Sequence, residues 1–441
     1  MKLDLLKRVC FLSVSLCTLL LWLSCGKADK SPPEKQIVLK LVHWYGPQRD
    51  NWQKEIIESF EREHANIKVG MDVVPYSLYY AKTLASAASG APMGDVVAID
   101  DWFAPELFKR NYTVDLQHYF DRDFKAQDFI TQVFEMCRFP LGENGDLLAI
   151  PFATGTTVLF YNRDLFDQAG VSYPDSNWTY ADLLAAARKL TRDIDGDGIT
   201  DQWGILADDG TYTGFDTMLY SLGGQILSPD LKQSWIDRPK SVAALQYIVD
   251  LVRKEKVSPL PSSLESMGEK FGSEKVAMVI TGDFVKLALK DVRFRWDITL
   301  PPKGPEGLRL SRRFGNSFCI PRQSQHPNEA WELIKHVLTS PSRGRLNELF
   351  ESMMPVYKSL AFSKDWIEGV PLCNRRAIIE TEEKYSFFHI TPGWLEWREQ
   401  ALTPEVQNAM TGRKSVPEAA HDAARRISAI LKQGEPGKAP L

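Results

Sequence analysis

The stretch "IVLKLVHW" at 37–44 is an almost continuous apolar run, suited to a strand covered on both faces, and the pattern downstream of it narrows the fold sharply. Trp52, Ile56, Ile57 and Phe60 recur at helical spacing, "IKVGMDVV" reads as a second strand, "SLYYAKTLASAASG" as a second helix and "DVVAI" at 95–99 as a third strand. Strand, helix, strand, helix, strand predicts a parallel sheet with covering helices, an α/β class. Further on, "DLLAI" and "TTVLFYN", with Pro151 and Gly155 between them, predict a β-hairpin. Thr179 with Asp182 forms a capping-box pattern opening a helix over 179–191, and Pro239 opens another. Ser415, Pro417 and Glu418 start a last helix with Ala420, Ala423, Ala424, Ile427 and Leu431 on one side.

The 441 residues suffice for about two to three average domains or one large two-lobed body. Net charge is −4; residues 1–25 carry Lys2, Lys7 and Arg8 against Asp4, so removing that +2 leaves −6, which gives no reason to expect nucleic acid as a partner. The N-terminus pairs basic residues with an uncharged, mostly apolar run from Val9 to Leu23 and then Ser24 before Cys25, the layout of a secretory signal over 1–25. That run of 15 residues falls short of the roughly 20 that cross a bilayer. It resembles a bacterial lipoprotein signal, which implies an acylated Cys25 tethering the mature chain to a membrane; Trp22 departs from the small aliphatic residue usual there. Residues 26–36 read as a flexible linker and 433–441 as a flexible tail. Cys137, Cys319 and Cys373 cannot all pair and lack metal-site spacing, so buried free thiols are expected.

Five further segments, in order, resemble one family: "VLKLVHWYG", "GDVVAIDD", "DLLAIPFATGTTVLFYNRDLFDQAGV" followed by "NWTYADLLAAARKLT", "EKVAMVITGDF", and "FGNSFCIPRQSQHPNEAWELIKHVLTSP". The chain from about Ile37 to Lys432 is similar to bacterial extracellular solute-binding proteins of the maltose-binding type, which serve ABC importers. The resemblance implies a two-lobed periplasmic-binding-protein fold of type II, each lobe a mixed, mainly parallel sheet flanked by helices. Lobe one would be 37–151 plus 304–345 and lobe two 152–299 plus 350–432, with crossings near Pro151–Thr154, 298–304 and 346–350. It also implies a monomer, exported to the cell envelope or periplasm, that closes on a carbohydrate and hands it to a separate permease and ATPase.

Ligand residues are expected beyond the carboxyl ends of the strands. Trp44 and Tyr45 end the first strand, and a flat ring there offers its face to the C–H face of a pyranose or else caps the core. Asp100, Asp101 and Trp102 follow the third strand; a carboxylate accepts sugar hydroxyls, and alternation predicts that only one of the two aspartates faces the cleft while the other caps a helix. By the resemblance, Ala277, Met278 and Gly282 match the family's "AM…GxW", with Phe284 in place of the tryptophan under the ligand, and "HITPGWLEWREQAL" puts Trp394, and more weakly Trp397, in an aromatic wall. Gly315 and Asn316 either let backbone approach the ligand or form a plain turn; Gly155 and Tyr212 join the set, and Tyr79 and Tyr80 are weaker candidates. No more than three of the 12 tryptophans are expected in the cleft. Arg293, Arg295, Arg309, Arg312 and Arg313 crowd one stretch and read as a solvated face; if Arg312 or Arg313 points inward, an anionic ligand such as a uronate or sugar phosphate becomes the alternative.

The segment "DIDGDGITDQWG" places Asp193, Asp195, Asp197, the Ile199 carbonyl and Asp201 at positions 1, 3, 5, 7 and 9 of a calcium-type loop. Position 12, where a bidentate glutamate belongs, is Gly204, so the loop predicts at most a weak structural calcium site and no sensor. No other cofactor is implied. No catalytic signature of nucleophile, phosphate-loop or zinc type occurs, and the reading is a binder rather than an enzyme. A glycosidase, needing only two carboxylates, and a passive surface lipoprotein are the competing readings.

Overall fold

The computed structural model describes residues 36–44, 52–91, 93–140, 144–211, 213–260, 271–342, 353–369, 372–388, 390–391 and 393–433. The proposed signal with Cys25, nearly all of the linker, Tyr45, Tyr212, the expected crossing at 346–350 and residues 434–441 lie outside these.

The predicted alternation is present. Strands β1 (Ile37–His43), β2 (Ile67–Val73) and β3 (Val96–Asp100) pair in parallel, β1 in the middle. A helical segment, Trp52–Ile57 running into Glu58–Glu63, and the helix Tyr76–Ser89 connect them. The short strands β4 (Arg138–Phe139) and β5 (Asp146–Leu147) form a small hairpin of their own.

The hairpin predicted around Pro151 and Gly155 does not form. Residues 150–162 are one strand, β6 (Ile150–Asn162), buried along its whole length. Its second half pairs antiparallel with β7 (Met278–Gly282) and β8 (Trp296–Thr299), and its first half pairs antiparallel with β9 (Ser311–Cys319). The register shifts between Pro151 and Ala153, so the residue that cannot donate to the ladder sits at an irregularity and the strand continues. At Gly155 a Cβ would come within 2.3 Å of the Phe314 ring, so glycine serves close approach rather than a turn. Two short strands, β10 (Met354–Pro355) beside β6 and β11 (Ser386–Phe387) beside β9, complete a sheet in the order β10-β6-β9-β3-β1-β2.

Apolar side chains gather into two cores. One surrounds β1 to β3 and the helix Pro327–Thr339 and includes Met353, Met354 and Trp366; the other is built from the helices Tyr180–Leu190, Thr213–Ser221, Pro239–Arg253, Thr403–Thr411 and Val416–Gln433. β6 feeds both: Val158 and Phe160 enter the first core while Leu159 and Tyr161 enter the second, as alternation along a strand requires. Helix signals read locally hold: the capping box of Thr179 and Asp182 forms, Pro239 opens its helix, and Ala420, Ala423, Ala424, Ile427 and Leu431 are buried. "WGILAD" pairs only through isolated bridges, Trp203 with Val276 and Leu206 with Val279. Cys137 and Cys319 are buried, Cys373 is half-buried, and all three are free thiols. Among the described residues no helix is long and apolar enough to cross a membrane.

Candidate ligand cleft

Where β3 ends against residues 312–316 of β9, beside the helices of the second core, a cavity of about 670 Å³ opens. Trp44, Asp100, Asp101, Trp102, Phe284, Gly315, Asn316 and Trp394, all candidates from sequence, line it. Gly155 and Gly282 do not. They lie behind the wall, where a Cβ on Gly282 would strike the Phe284 ring at 2.3 Å and one on Gly155 the Phe314 ring, so their role is to let the rings pack down. Tyr80 lines the cavity, whereas Tyr79 is core, its hydroxyl donating to the Val42 and Ala98 carbonyls at 3.1 and 2.8 Å. Trp397 is also core, with Nε1 donating to Thr391 Oγ1 at 3.0 Å. Three tryptophans line the cavity among the described residues, within the expected limit.

The aromatic wall is held by edge-to-face and tilted ring contacts. Trp44, 7% exposed, packs against Tyr76 and Tyr79 at 5.9 and 4.9 Å, so one ring serves both core and cavity. Trp102 lies 4.1 Å from Tyr80 and reaches across to Trp394 at 6.2 Å. Phe284 meets Phe314, a wall residue without a sequence signal, at 5.4 Å. The Gly393 amide donates to Glu106 Oε1 at 2.8 Å, joining the helix Ala104–Lys109 to the turn before Trp394.

Both aspartates face the cavity, which corrects the expectation that one caps a helix. β3 stops at Asp100, and the chain turns at once: the Phe103 amide donates to the Asp100 carbonyl, and strand alternation no longer applies. The next helix has no side-chain cap. Asp100 accepts from Tyr76 at 2.8 Å and also from Tyr80 and the Asn316 amide, so three neutral donors hold its carboxylate. Burial, and then the negative charge of Asp100, push both tyrosine hydroxyls well above their ordinary range, which keeps them donors at any working pH.

The arginines correct a second expectation. Arg293 and Arg295 are exposed, but Arg309, Arg312 and Arg313 are 5%, 2% and 3% exposed. Arg312 and Arg313 lie on β9, a central strand buried on both faces, and Arg309 just precedes it, so the guanidiniums find partners within the protein. Arg313 donates to Glu382 at 2.6 Å, and Arg309 donates to the Ser176 carbonyl and lies over the Tyr385 ring. Arg312 belongs to the cavity. Its Nη2 donates to Asp101 Oδ2 at 2.8 Å, its Nε lies 3.8 Å from Asp216 Oδ2, and Arg398 Nη1 is 3.0 Å from both Asp216 oxygens. Burial pushes the Asp101 carboxyl up, and the Arg312 guanidinium pulls against that. Asp216 comes from the helix Thr213–Ser221 and Arg398 from the helical turn Arg398–Leu402, and spacing alone carries no signal for them.

Away from the cavity, the carboxylates of Asp193, Asp195 and Asp197 come within 4.8 Å of one another on an exposed loop. Asp201 is not part of that group; its Oδ2 accepts from the Ile194 amide at 2.8 Å. At Gly204 a Cβ would lie 2.1 Å from the Ala187 carbonyl, so no side chain can stand at the loop's twelfth position.

The family model for bacterial extracellular solute-binding proteins matches residues 45–343. A binding protein of Brucella abortus (strain 2308) is 24% identical over 88% of this chain and 92% of its own, and the arabinooligosaccharide-binding protein of Bacillus subtilis (strain 168) is 24% identical over 74% and 75%. Among solved structures, an ABC substrate-binding protein from Listeria monocytogenes in complex with cycloalternan superposes with a TM-score of 0.78 at 22% identity, covering 90% of this chain and all of its own. A maltose-bound protein of Thermotoga maritima gives 0.73 at 20% identity over 90% and 99%. These likenesses place the fold among the type II periplasmic-binding proteins.

Proposed function

The chain belongs to the bacterial extracellular solute-binding proteins, and from that premise we propose that it binds a sugar or oligosaccharide and delivers it to an ABC permease with its ATPase. The observation that carries this reading is the cavity wall itself, where Trp44, Trp102, Phe284 and Trp394 stand beside Asp100, Asp101 and Asn316. Flat rings take the C–H faces of sugar rings while carboxylates and amides take the hydroxyls. A volume of about 670 Å³ lies inside the range of about 300–1,000 Å³ usual for small-molecule clefts. The relatives named for arabino- and galactooligosaccharides and the neighbours solved with cycloalternan and maltose support the same ligand class.

Family membership supports a finer reading. The two lobes, 37–151 plus 304–345 and 152–299 plus 350–432, close on the ligand about their crossings. The chain is exported as a monomer and anchored at the cell envelope through a lipid on Cys25, and it leaves the ligand unaltered. The loop at 193–201 holds a weak structural calcium ion on Asp193, Asp195 and Asp197, with the Ile199 carbonyl and Asp201 completing the set. A calorimetric titration with millimolar calcium giving no heat, and a melting point indifferent to chelator, would remove the calcium assignment.

A thermal-shift screen of the mature chain over neutral and acidic saccharides, followed by calorimetry and recovery of the ligand, tests the main reading. Stabilisation by at least one saccharide, recovered intact, is the expected result. Indifference to the whole library, or new reducing ends, would overturn it.

A further inference from the structure

Resting on the carbohydrate reading of this cavity, we propose that the cleft selects by charge: it accepts uncharged saccharides and rejects their uronate or phosphate counterparts, because its buried arginine is already neutralised from within the protein. A site built for an anion presents a guanidinium whose charge is met by the ligand. Here Arg312 gives Nη2 to Asp101 at 2.8 Å and holds Nε 3.8 Å from Asp216, and Asp216 is in turn gripped by Arg398 at 3.0 Å through both oxygens. The result is an alternating chain, acid, base, acid, base, that carries no net charge and runs from the end of β3 to the second core.

The rest of the lining adds negative charge. Among the described residues around the cavity the acids are Asp100, Asp101, Asp216 and Glu399, and the bases are Arg312 and Arg398. A ligand carboxylate would therefore be desolvated beside a surplus of like charge, which is the expensive way to bury it. A hydroxyl has the opposite fit. Arg312 Nη1, Trp394 Nε1 and Thr213 Oγ1 are buried polar atoms with no hydrogen-bond partner among the described residues, and all three belong to side chains that line the cavity. Left unmet they destabilise the wall. Uncharged hydroxyl oxygens satisfy them without adding a charge, and Asp100 accepts in return.

The test uses the mature chain and matched probes: glucose and galactose oligomers, each with the counterpart whose primary hydroxyls are oxidised to carboxylates, titrated calorimetrically at pH 7. The expected result is binding of a neutral member at least about a hundredfold tighter than its uronate counterpart. In Asp101→Asn, which leaves Arg312 without its nearest counter-charge, the uronate gains at least about tenfold relative to the neutral sugar. A uronate that binds the natural protein as tightly as its neutral counterpart overturns the charge rule while leaving the carbohydrate reading standing. The pair titrated is extended to whichever neutral saccharide stabilises the chain in the thermal-shift screen, and if no saccharide of that library binds, both readings fall. The comparison in the natural protein decides the matter even if the variant does not fold.

Discussion

At the scale of single residues, the aromatic and acidic bets at strand ends are legible because strand-end position and side-chain chemistry are local properties. Trp44, Asp100 and Trp102 all reach one cavity, and so does Trp394, which only the family resemblance suggested. Truncating a half-buried ring that covers a ligand removes apolar contact worth about 1.5–3 kcal/mol, roughly tenfold to a hundredfold in affinity. We expect Trp102→Ala and Trp394→Ala each to weaken saccharide binding by that factor, read by calorimetry, with little change in melting temperature because both rings are only partly buried. Gly204 is constrained by space instead. Its place in the aspartate loop invites the substitution that would complete a calcium sensor, yet the Ala187 backbone occupies the room a side chain needs. Gly204→Glu is therefore expected to lower the melting temperature by several degrees, with added calcium failing to restore it.

At the scale of elements, helices with caps are readable and the continuity of a strand is not. The Thr179 side chain accepts from the Asp182 amide, and the Thr179 amide and hydroxyl both donate to Asp182, so two backbone donors at the helix start are met. Thr179→Ala is expected to cost about 1 kcal/mol, measured as a shift of the denaturant midpoint at unchanged slope. β6 shows the converse. Proline and glycine inside an apolar run are breaker signals, and they predict a hairpin where a single strand runs. The competing influence is pairing with β9, which keeps the chain extended through Pro151 at a register shift and uses Gly155 to admit the Phe314 ring. No local pattern announces a partner strand more than 150 positions away in the chain.

At the scale of the whole molecule, the cavity is bounded by side chains from both cores, and the segments carrying Trp102 and Trp394 are joined by the contact of those two rings and by the Gly393 amide on Glu106. If closure is the binding step, these contacts belong to the closed form. A saturating saccharide is expected to reduce the radius of gyration in solution scattering, and Glu106→Ala to weaken affinity chiefly through faster dissociation; an unchanged profile with a tightly bound ligand would refute hinge closure. Stability against acid is also a global property. Lys40 holds the Asp72 carboxyl below its usual range, and Arg122, aided by Trp331 Nε1 at 2.6 Å, does the same for Asp123. A depressed acid stabilises the folded state above its unfolded value, about 3.8, and that contribution is lost as pH falls through the folded value. Denaturant midpoints should therefore drop between pH 5 and 3, and Asp123→Asn, weaker at pH 5, should show a smaller drop. The sequence by itself determined the α/β class, the capped helices and the rings and acids at strand ends, because periodicity, capping and turn chemistry act within a few residues. Only the tertiary structure decided that Arg312 would be buried and neutralised, since its partner Asp101 lies 211 positions away, and a guanidinium reads the same in sequence whether water or an aspartate surrounds it.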